Sequence, residues 1–567
     1  MARAQQTRED TRRVVVSRLD WRSAQRDDEA VAQAIHAGAG IDAIYNLDEA
    51  GLLDAFYHFL EQIGFLGLSA GLTLPGVKRV LLPVLQFVLR SLLKTLYGIA
   101  SLNALPPLLF SNVALMRLIG FNAHQVGQGL TRRGDTRRRL RPKRGPLSPQ
   151  CLGAHICKLG VEQLAALFNG TVRLLVARGL FQGDLTVALD GSKVLTPASY
   201  PGRGCLSVTR TATEAKTKRR VRIVETLFGW KVLVLIDVLI DVRTRLPLAM
   251  AVGKIQDYEG QWLLPLIRQA QENLGTAARI TTVVIDRGYL DGEDLWALDR
   301  RDLTFVIVAK DNMVVTEDAR NLAVAGEGHV RERVEVIRHG HGRTATTEKR
   351  RTRLVGVDAL TTYDTYGDAE HARQRNRKDF DGHPINAVVV LRWGGRTYPD
   401  GGTVYLTNGP VADPFVAFDT YDWRSVIENG IFKEGKQPWH LEHFPQRTEA
   451  AVRVQCYFTL TVMALCTAFR LCQEAADTTP PTAPAALAAR VQRRRRGQPR
   501  ACAGDVPRGR ARGGPPAGGR GGDRRRCAGR MRGGPALPDG PGRVPAGAQS
   551  CGRGQSQPSP RRTPHPA

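Results

Sequence analysis

The sequence predicts an α/β protein with an all-α N-terminal region, a mixed body interrupted by a β-rich insertion, and a disordered Arg/Gly/Pro tail. Three observations predict it. Residues 46–130 repeat apolar side chains at helical spacing. Between 186 and 310, short apolar runs of strand length alternate with amphipathic stretches. From residue 478 onward the composition collapses to Arg, Gly, Pro and Ala, with no Phe, Tyr, Trp, Ile, Asn, Lys or Glu. Such a chain cannot bury enough apolar surface to fold.

A length of 567 residues points to three or four domains, and 42% hydrophobic content excludes disorder throughout. The formal charge of +27 points to a polyanionic partner, nucleic acid or an anionic membrane surface. That charge is uneven. Residues 478–567 hold 19 Arg against Asp505, Asp523 and Asp539, a net +16, so the first 477 residues carry +11. The tail has two readings, an RGG-like nucleic-acid segment or an out-of-frame extension of a GC-rich gene. Nine cysteines form neither a disulfide framework nor a zinc motif, and Cys456, Cys466 and Cys472 fall in an apolar helical pattern as core thiols. The polar start MARAQQTRED predicts no secretory signal. The most membrane-like stretch, 80–110, is broken by Arg90, Lys94 and a Pro-Pro pair, and reads as a buried helix pair. A reducing cytoplasm is the expected compartment.

Residues 1–45 are a polar N-terminal segment. In 46–130, Leu52, Leu53, Phe56, Phe59 and Leu60 share a helical face, and Ser111 or Asn112 is placed to cap a later helix. Residues 131–150 form a linker whose 132–144 stretch carries eight basic residues against Asp135. It serves either as a solvated connector or as an arm for phosphates, through Arg132, Arg133, Arg137, Arg138 and Arg139. The first part of the core, 151–310, opens with a helix at about 161–180. Strands follow at 186–194, 232–242 and after the turn at 245–247, then a helix at 262–273. A strand at 279–290, a helix at 291–300 and a strand at 304–310 complete it. Residues 311–415 lose this rhythm and read as a β-rich insertion. Residues 416–477 return to helix and hold a long apolar segment at 450–471.

Asp190 and Asp286 each close a strand just before a turn, where open α/β sheets build their sites. In this strand order the first and fourth strands are central neighbours. Two carboxylates held together there repel unless a cation lies between them, and hard oxygen ligands suit Mg²⁺ or Mn²⁺. Two such ions ~4 Å apart can activate one oxygen and stabilise another in phosphoryl transfer. Asp237 and Asp241 share a strand face and read as structural. A third carboxylate is available in 421–436, where Arg424 and Glu428 are i and i+4 on a helix and Tyr421 lies one turn earlier.

The combination LDGSK, VVIDRGY, then Y-x2-R-x3-E followed by a lysine resembles the DDE transposases of bacterial insertion sequences. It is most similar to the cut-and-paste group with the YREK signature, over roughly 111–471. The resemblance implies an RNase H-like catalytic domain with a β-rich insertion before the last acid. Asp190, Asp286 and Glu428 would then be the catalytic, metal-binding triad, holding a pair of Mg²⁺ or Mn²⁺ ions in the family's manner, with Tyr421 and Arg424 on the DNA-end phosphates. The spacing fits, with 96 positions from Asp190 to Asp286 and 142 from there to Glu428. The signature lysine is displaced. Gly435 stands at its usual place, and Lys436 is the preferred substitute over Lys433. The implied partners are the element's terminal inverted repeats and target DNA, engaged as a homodimer without any membrane. The N-terminal helices are the best candidates for end recognition. Two alternatives remain: an RNase H-like nuclease that only hydrolyses, and a non-catalytic DNA-binding relic.

Overall fold

The computed structural model describes residues 28–39, 52–77, 82–121, 125–126, 148–213, 220–238, 246–339, 346–374 and 382–476. All of these fall in one compact unit, residues 1–499. The basic run 132–144, with its five named arginines, and the tail from 478 lie outside the described residues.

The helices of the N-terminal half are α1 (Asp28–His36), α2 (Leu52–Gln62), α3 (Phe65–Ala70), α4 (Val84–Leu96), α5 (Val113–Leu118), α6 (Pro149–Ile156) and α7 (Val161–Ala177). Asn112 caps α5 by accepting from the Leu115 amide, as its position predicts. The 80–110 stretch is not a helix pair. After α4 it continues as short 3₁₀ and π turns to Phe110. α4 stops at Tyr97 because Gly98 takes a positive φ of 58° there, and Pro106 then opens the π segment.

Strands β1 (Gly183–Leu195), β2 (Gly204–Thr213), β3 (Arg220–Asp237) and β4 (Leu246–Lys254) precede α8 (Leu263–Leu274). β5 (Ala278–Ile285), α9 (Gly292–Asp299), β6 (Thr304–Val308) and α10 (Val314–Ala325) follow. The 311–415 region adds β7 (His329–His339), β8 (Thr346–Leu360), α11 (Ala369–Gln374), β9 (Ile385–Trp393), β10 (Arg396–Thr397) and β11 (Val404–Thr407). The chain closes with α12 (Pro414–Asp422), a π-helical segment (Ile427–Phe432), α13 (Lys433–Lys436) and α14 (Glu449–Ala476).

These eleven strands form a single sheet in the order β2-β3-β1-β5-β6-β11-β9-β8-β7, with β4 on β3 and β10 on β9. β1 and β5 are central parallel neighbours, as the strand order predicts. β1 does not stop at Asp190 but continues through Gly191 and Ser192 to Leu195, because β3 keeps pairing with it that far. β2 is an addition to the expected order. Its sequence GCLSVTRTAT carries no long apolar run, and it is a strand through pairing with the first half of β3.

The insertion is not a separate layer. β11 pairs antiparallel with β6, and β9, β8 and β7 extend the same sheet from there. That continuation satisfies the edge amides of β6. The mixed α/β class is thus as expected, with an all-helical N-terminal region and a strand-rich insertion.

One core runs through the helical region and the sheet. Phe56 and Phe59 of α2 meet Phe469 of α14 at centroid separations of 5.2 and 5.5 Å. Cys456, Cys466 and Cys472 are buried in α14, as predicted. The 449–473 stretch is long and apolar enough to cross a membrane, yet 94% of its most apolar window is covered by the rest of the protein. It is the central helix of this core.

Candidate active site

Register, not turn chemistry, brings the two aspartates together. In the parallel β1–β5 ladder Ala188 faces Val284 and Leu189 faces Ile285. The next residue on each strand is an aspartate, Asp190 and Asp286. The apolar residues before them are buried on both faces of the sheet, which fixes the register that aligns the acids. Asp286 leaves its strand and precedes a 3₁₀ turn through Tyr289. Both acids therefore lie toward the carboxyl ends of parallel strands.

The third acid arrives from the far end of the domain. Tyr421 is near the end of α12, Arg424 follows it, and Glu428 lies in the π segment. The sequence period treats all three as one α-helix. The structure divides them between two helical segments with Arg424 at the turn between, so that Tyr421 and Arg424 reach the aspartates while Glu428 reaches Arg424.

Arg424 is the hub. Its Nη1 donates to Asp190 Oδ2 at 3.0 Å, Nε stands 4.0 Å from Asp286 Oδ1, and Nη2 stands 3.8 Å from Glu428 Oε2. Each guanidinium nitrogen faces a different acid. The Tyr421 hydroxyl donates to Asp286 Oδ1 at 3.4 Å, and the Arg424 guanidinium lies 5.8 Å from the Tyr421 ring centroid. Burial works against the Arg424 charge, but Tyr421, Asp286, Asp190 and Glu428 outweigh it and hold its pKa above the ordinary value.

The aspartates are not equivalent. Asp190 is 8% exposed, and its carboxyl is pushed up to about 6. Burial is the main cause. Arg424 and the Gly191 amide oppose it, while the charges of Asp286 and Glu259 add to it. The Gly191 amide donates to Asp190 Oδ1 at 2.7 Å. The Glu428 side chain is by contrast two-thirds exposed.

Lys436 does not join the acids. Its ammonium donates to the Lys193 carbonyl of β1 at 2.6 Å and stands 3.3 Å from Glu442. Lys193 itself is three residues along β1 from Asp190. Asp237 is buried at the end of β3, away from this cluster, and Asp241 lies outside the described residues.

Glu259 is the residue that motif reading misses. It precedes the 3₁₀ turn Gly260–Trp262, and its charge acts on Asp190 and on Tyr289. No local pattern marks it. The available signal is the glycine in each aspartate motif, Gly191 and Gly288, whose missing side chains leave room for it.

The donor chemistry suits a hard divalent cation, since the acids offer only oxygen. Arg424 demonstrates that one positive group can stand within 4.0 Å of all three carboxylates. Among the described residues, no three His, Cys, Asp or Glu side chains are themselves grouped to hold a metal ion. The guanidinium holds the central place.

Residues 207–465 match a family model described as a transposase DDE domain. The match contains Asp286 and Glu428 and begins after Asp190. None of the curated proteins matches the chain.

Proposed function

We propose, because residues 207–465 match the transposase DDE domain family, that this protein binds the ends of its own mobile element, cleaves them and joins them to target DNA. The chain's mixed sheet is consistent with the RNase H-like fold of that family, which generally uses divalent metal ions. The observation that carries the reading is the meeting of Asp190, Asp286 and Glu428 on one guanidinium. These acids come from β1, the end of β5 and the π segment. An accidental surface ion pair would not gather carboxylates from such distant positions on the chain.

In this reading Asp190, Asp286 and Glu428 would hold a pair of Mg²⁺ or Mn²⁺ ions. Bound ions supply Lewis-acid stabilisation of the phosphoryl group and activate the attacking oxygen. The protein's own groups do the rest. Asp190 and Asp286 stay fixed by the strand register. Arg424, whose guanidinium stands beside all three acids, has a fork geometry that suits two oxygens of a DNA phosphate. Tyr421 steers Asp286 through its hydroxyl. Lys436 and the basic run holding Arg132, Arg133, Arg137, Arg138 and Arg139 meet the DNA backbone, so binding weakens steeply with salt. The element ends are recognised by the N-terminal helices, the protein acts as a homodimer on DNA, and its place is the bacterial cytoplasm at the nucleoid.

The test is strand chemistry on a duplex carrying the cognate end. D190A, D286A and E428A in the full chain should each lower Mg²⁺-dependent cleavage by at least about a thousandfold while end binding persists. Wild-type cleavage by E428A would remove Glu428 from the triad. Strand joining separates the transposase from a nuclease that only hydrolyses, and absence of metal-dependent nicking by the wild-type chain would leave a DNA-binding relic.

A further inference from the structure

A fourth acid reaches the same centre from an unrelated part of the chain. The Glu259 carboxylate sits between the glycines of the two aspartate motifs. A Cβ built on Gly191 would lie 3.4 Å from Glu259 Oε1, and one on Gly288 would lie 3.1 Å from Oε2. The second distance is tighter than side chains normally tolerate, so Gly288 is a notch that an alanine would fill. The other carboxylate oxygen is held from outside, since Lys231 Nζ lies 2.8 Å from Glu259 Oε1. Lys231 is itself buried and also donates to the Asp257 carbonyl at 2.8 Å.

A second feature adjoins the notch, at the residue directly after Gly288. Tyr289 is fully buried, and its hydroxyl has no hydrogen-bond partner among the described residues. Burial raises its pKa, and so do the charges of Glu259, Asp190 and Asp286. The orphaned hydroxyl is therefore within electrostatic reach of all three acids. A buried polar group left unpaired is destabilising and marks a place where a further polar species belongs.

We propose that Glu259 is a fourth acid of the reaction centre, seated by Gly191 and Gly288 and held by Lys231, and that it supports a divalent cation at Asp190 and Asp286. The inference rests on reading those two aspartates as cation ligands. Glu259 acts as a positioning residue. It adds negative charge beside the aspartates, and the Lys231 pair keeps that charge in place when no cation is bound. Lys231 brings a positive charge against the negative one of Glu259, which makes the effects of the two partners on a cation at the aspartates opposite in sign.

The experiment is a Mn²⁺ titration of the full chain without DNA, followed by calorimetry. E259Q should weaken Mn²⁺ binding about 10- to 100-fold, as loss of supporting groups around a metal does. K231M should tighten it, and the gain should vanish in the K231M/E259Q double variant. A structural role for the pair would instead weaken binding in both single variants. D286N separates the two levels of the argument. Wild-type affinity in D286N overturns the reading of the aspartates. Weak binding by D286N with wild-type affinity in E259Q overturns the role of Glu259 alone. Should E259Q not fold, the double variant leaves neither charge orphaned, and K231M binding no tighter than the double variant overturns the inference.

Discussion

At the scale of single residues, cations withdrawn from water to different degrees meet opposite fates. Arg424 is surrounded by acids, so burial does not discharge it. Lys94 of α4 is 5% exposed and its ammonium has no hydrogen-bond partner among the described residues. Burial pushes Lys94 down to about 8. Its neighbour one turn back, Arg90, lies among the rings of Phe87, Phe110 and Phe121 and is lowered by burial to about 9. The sign for Lys94 follows from proton counting. Between about 8 and the ordinary 10.5 the unfolded chain binds more protons than the folded one, so its penalty is full below this window and fades as pH rises through it. K94M should therefore stabilise the protein by about 2–3 kcal/mol near neutral pH, an order-of-magnitude figure from the size of the shift. Thermal melts of K94M and wild type at about pH 7 and about pH 10 check it, the advantage shrinking at the higher pH. No advantage at the lower pH would mean that Lys94 has a partner in solution.

At the scale of elements, the insertion is tied to the helix that carries the site. Arg333 of β7 donates from both terminal nitrogens to Asp419 of α12 at 2.7 Å, and its guanidinium lies over the Phe415 ring at 4.2 Å. Tyr421 and Arg424 follow Asp419 closely in the chain. R333K keeps the charge but cannot keep two parallel bonds and a stacked plane. It should slow end cleavage several-fold with a stability loss of no more than about 1 kcal/mol, because the pair is partly exposed. R333K/D419N should be no slower than either single variant, since both remove one fastening. Additive losses in cleavage rate would separate the two residues. The same elements show what a sequence makes legible. β1 and β5 announce themselves through apolar runs buried on both faces, and their parallel pairing is enough to make Asp190 and Asp286 neighbours. The β7–β8 hairpin is mostly charged and threonine-rich, with Val334 and Val336 exposed, so no period of two stands out. An i, i+4 count finds Glu428, although the π segment gives the helix a different period. Glu259 has no periodic signal at all, since its place depends on space left by glycines distant in the chain.

At the scale of the whole molecule, more than half of the net charge lies beyond the described residues. Every described residue lies at or before Ala476, while +16 of the +27 lies beyond Asp477. The core already closes without the tail, through α14 against α4, α7 and β4. The tail has no aromatic residue to add to it. Stability and DNA affinity should then respond independently to its removal. A chain ending at Asp477 should melt at the wild-type temperature and keep its cleavage rate once bound. On duplex lacking the cognate ends it should bind more weakly, with a plot of log affinity against log salt that is shallower by about 0.9 for each phosphate the tail had neutralised. Specific and non-specific affinity should therefore separate, because tail arginines favour any phosphate backbone whereas end recognition needs the folded body. A fall in melting temperature would place tail residues in the core. An unchanged salt slope would show that its 19 arginines never reach DNA, which is the behaviour expected of an out-of-frame extension rather than a selected nucleic-acid arm.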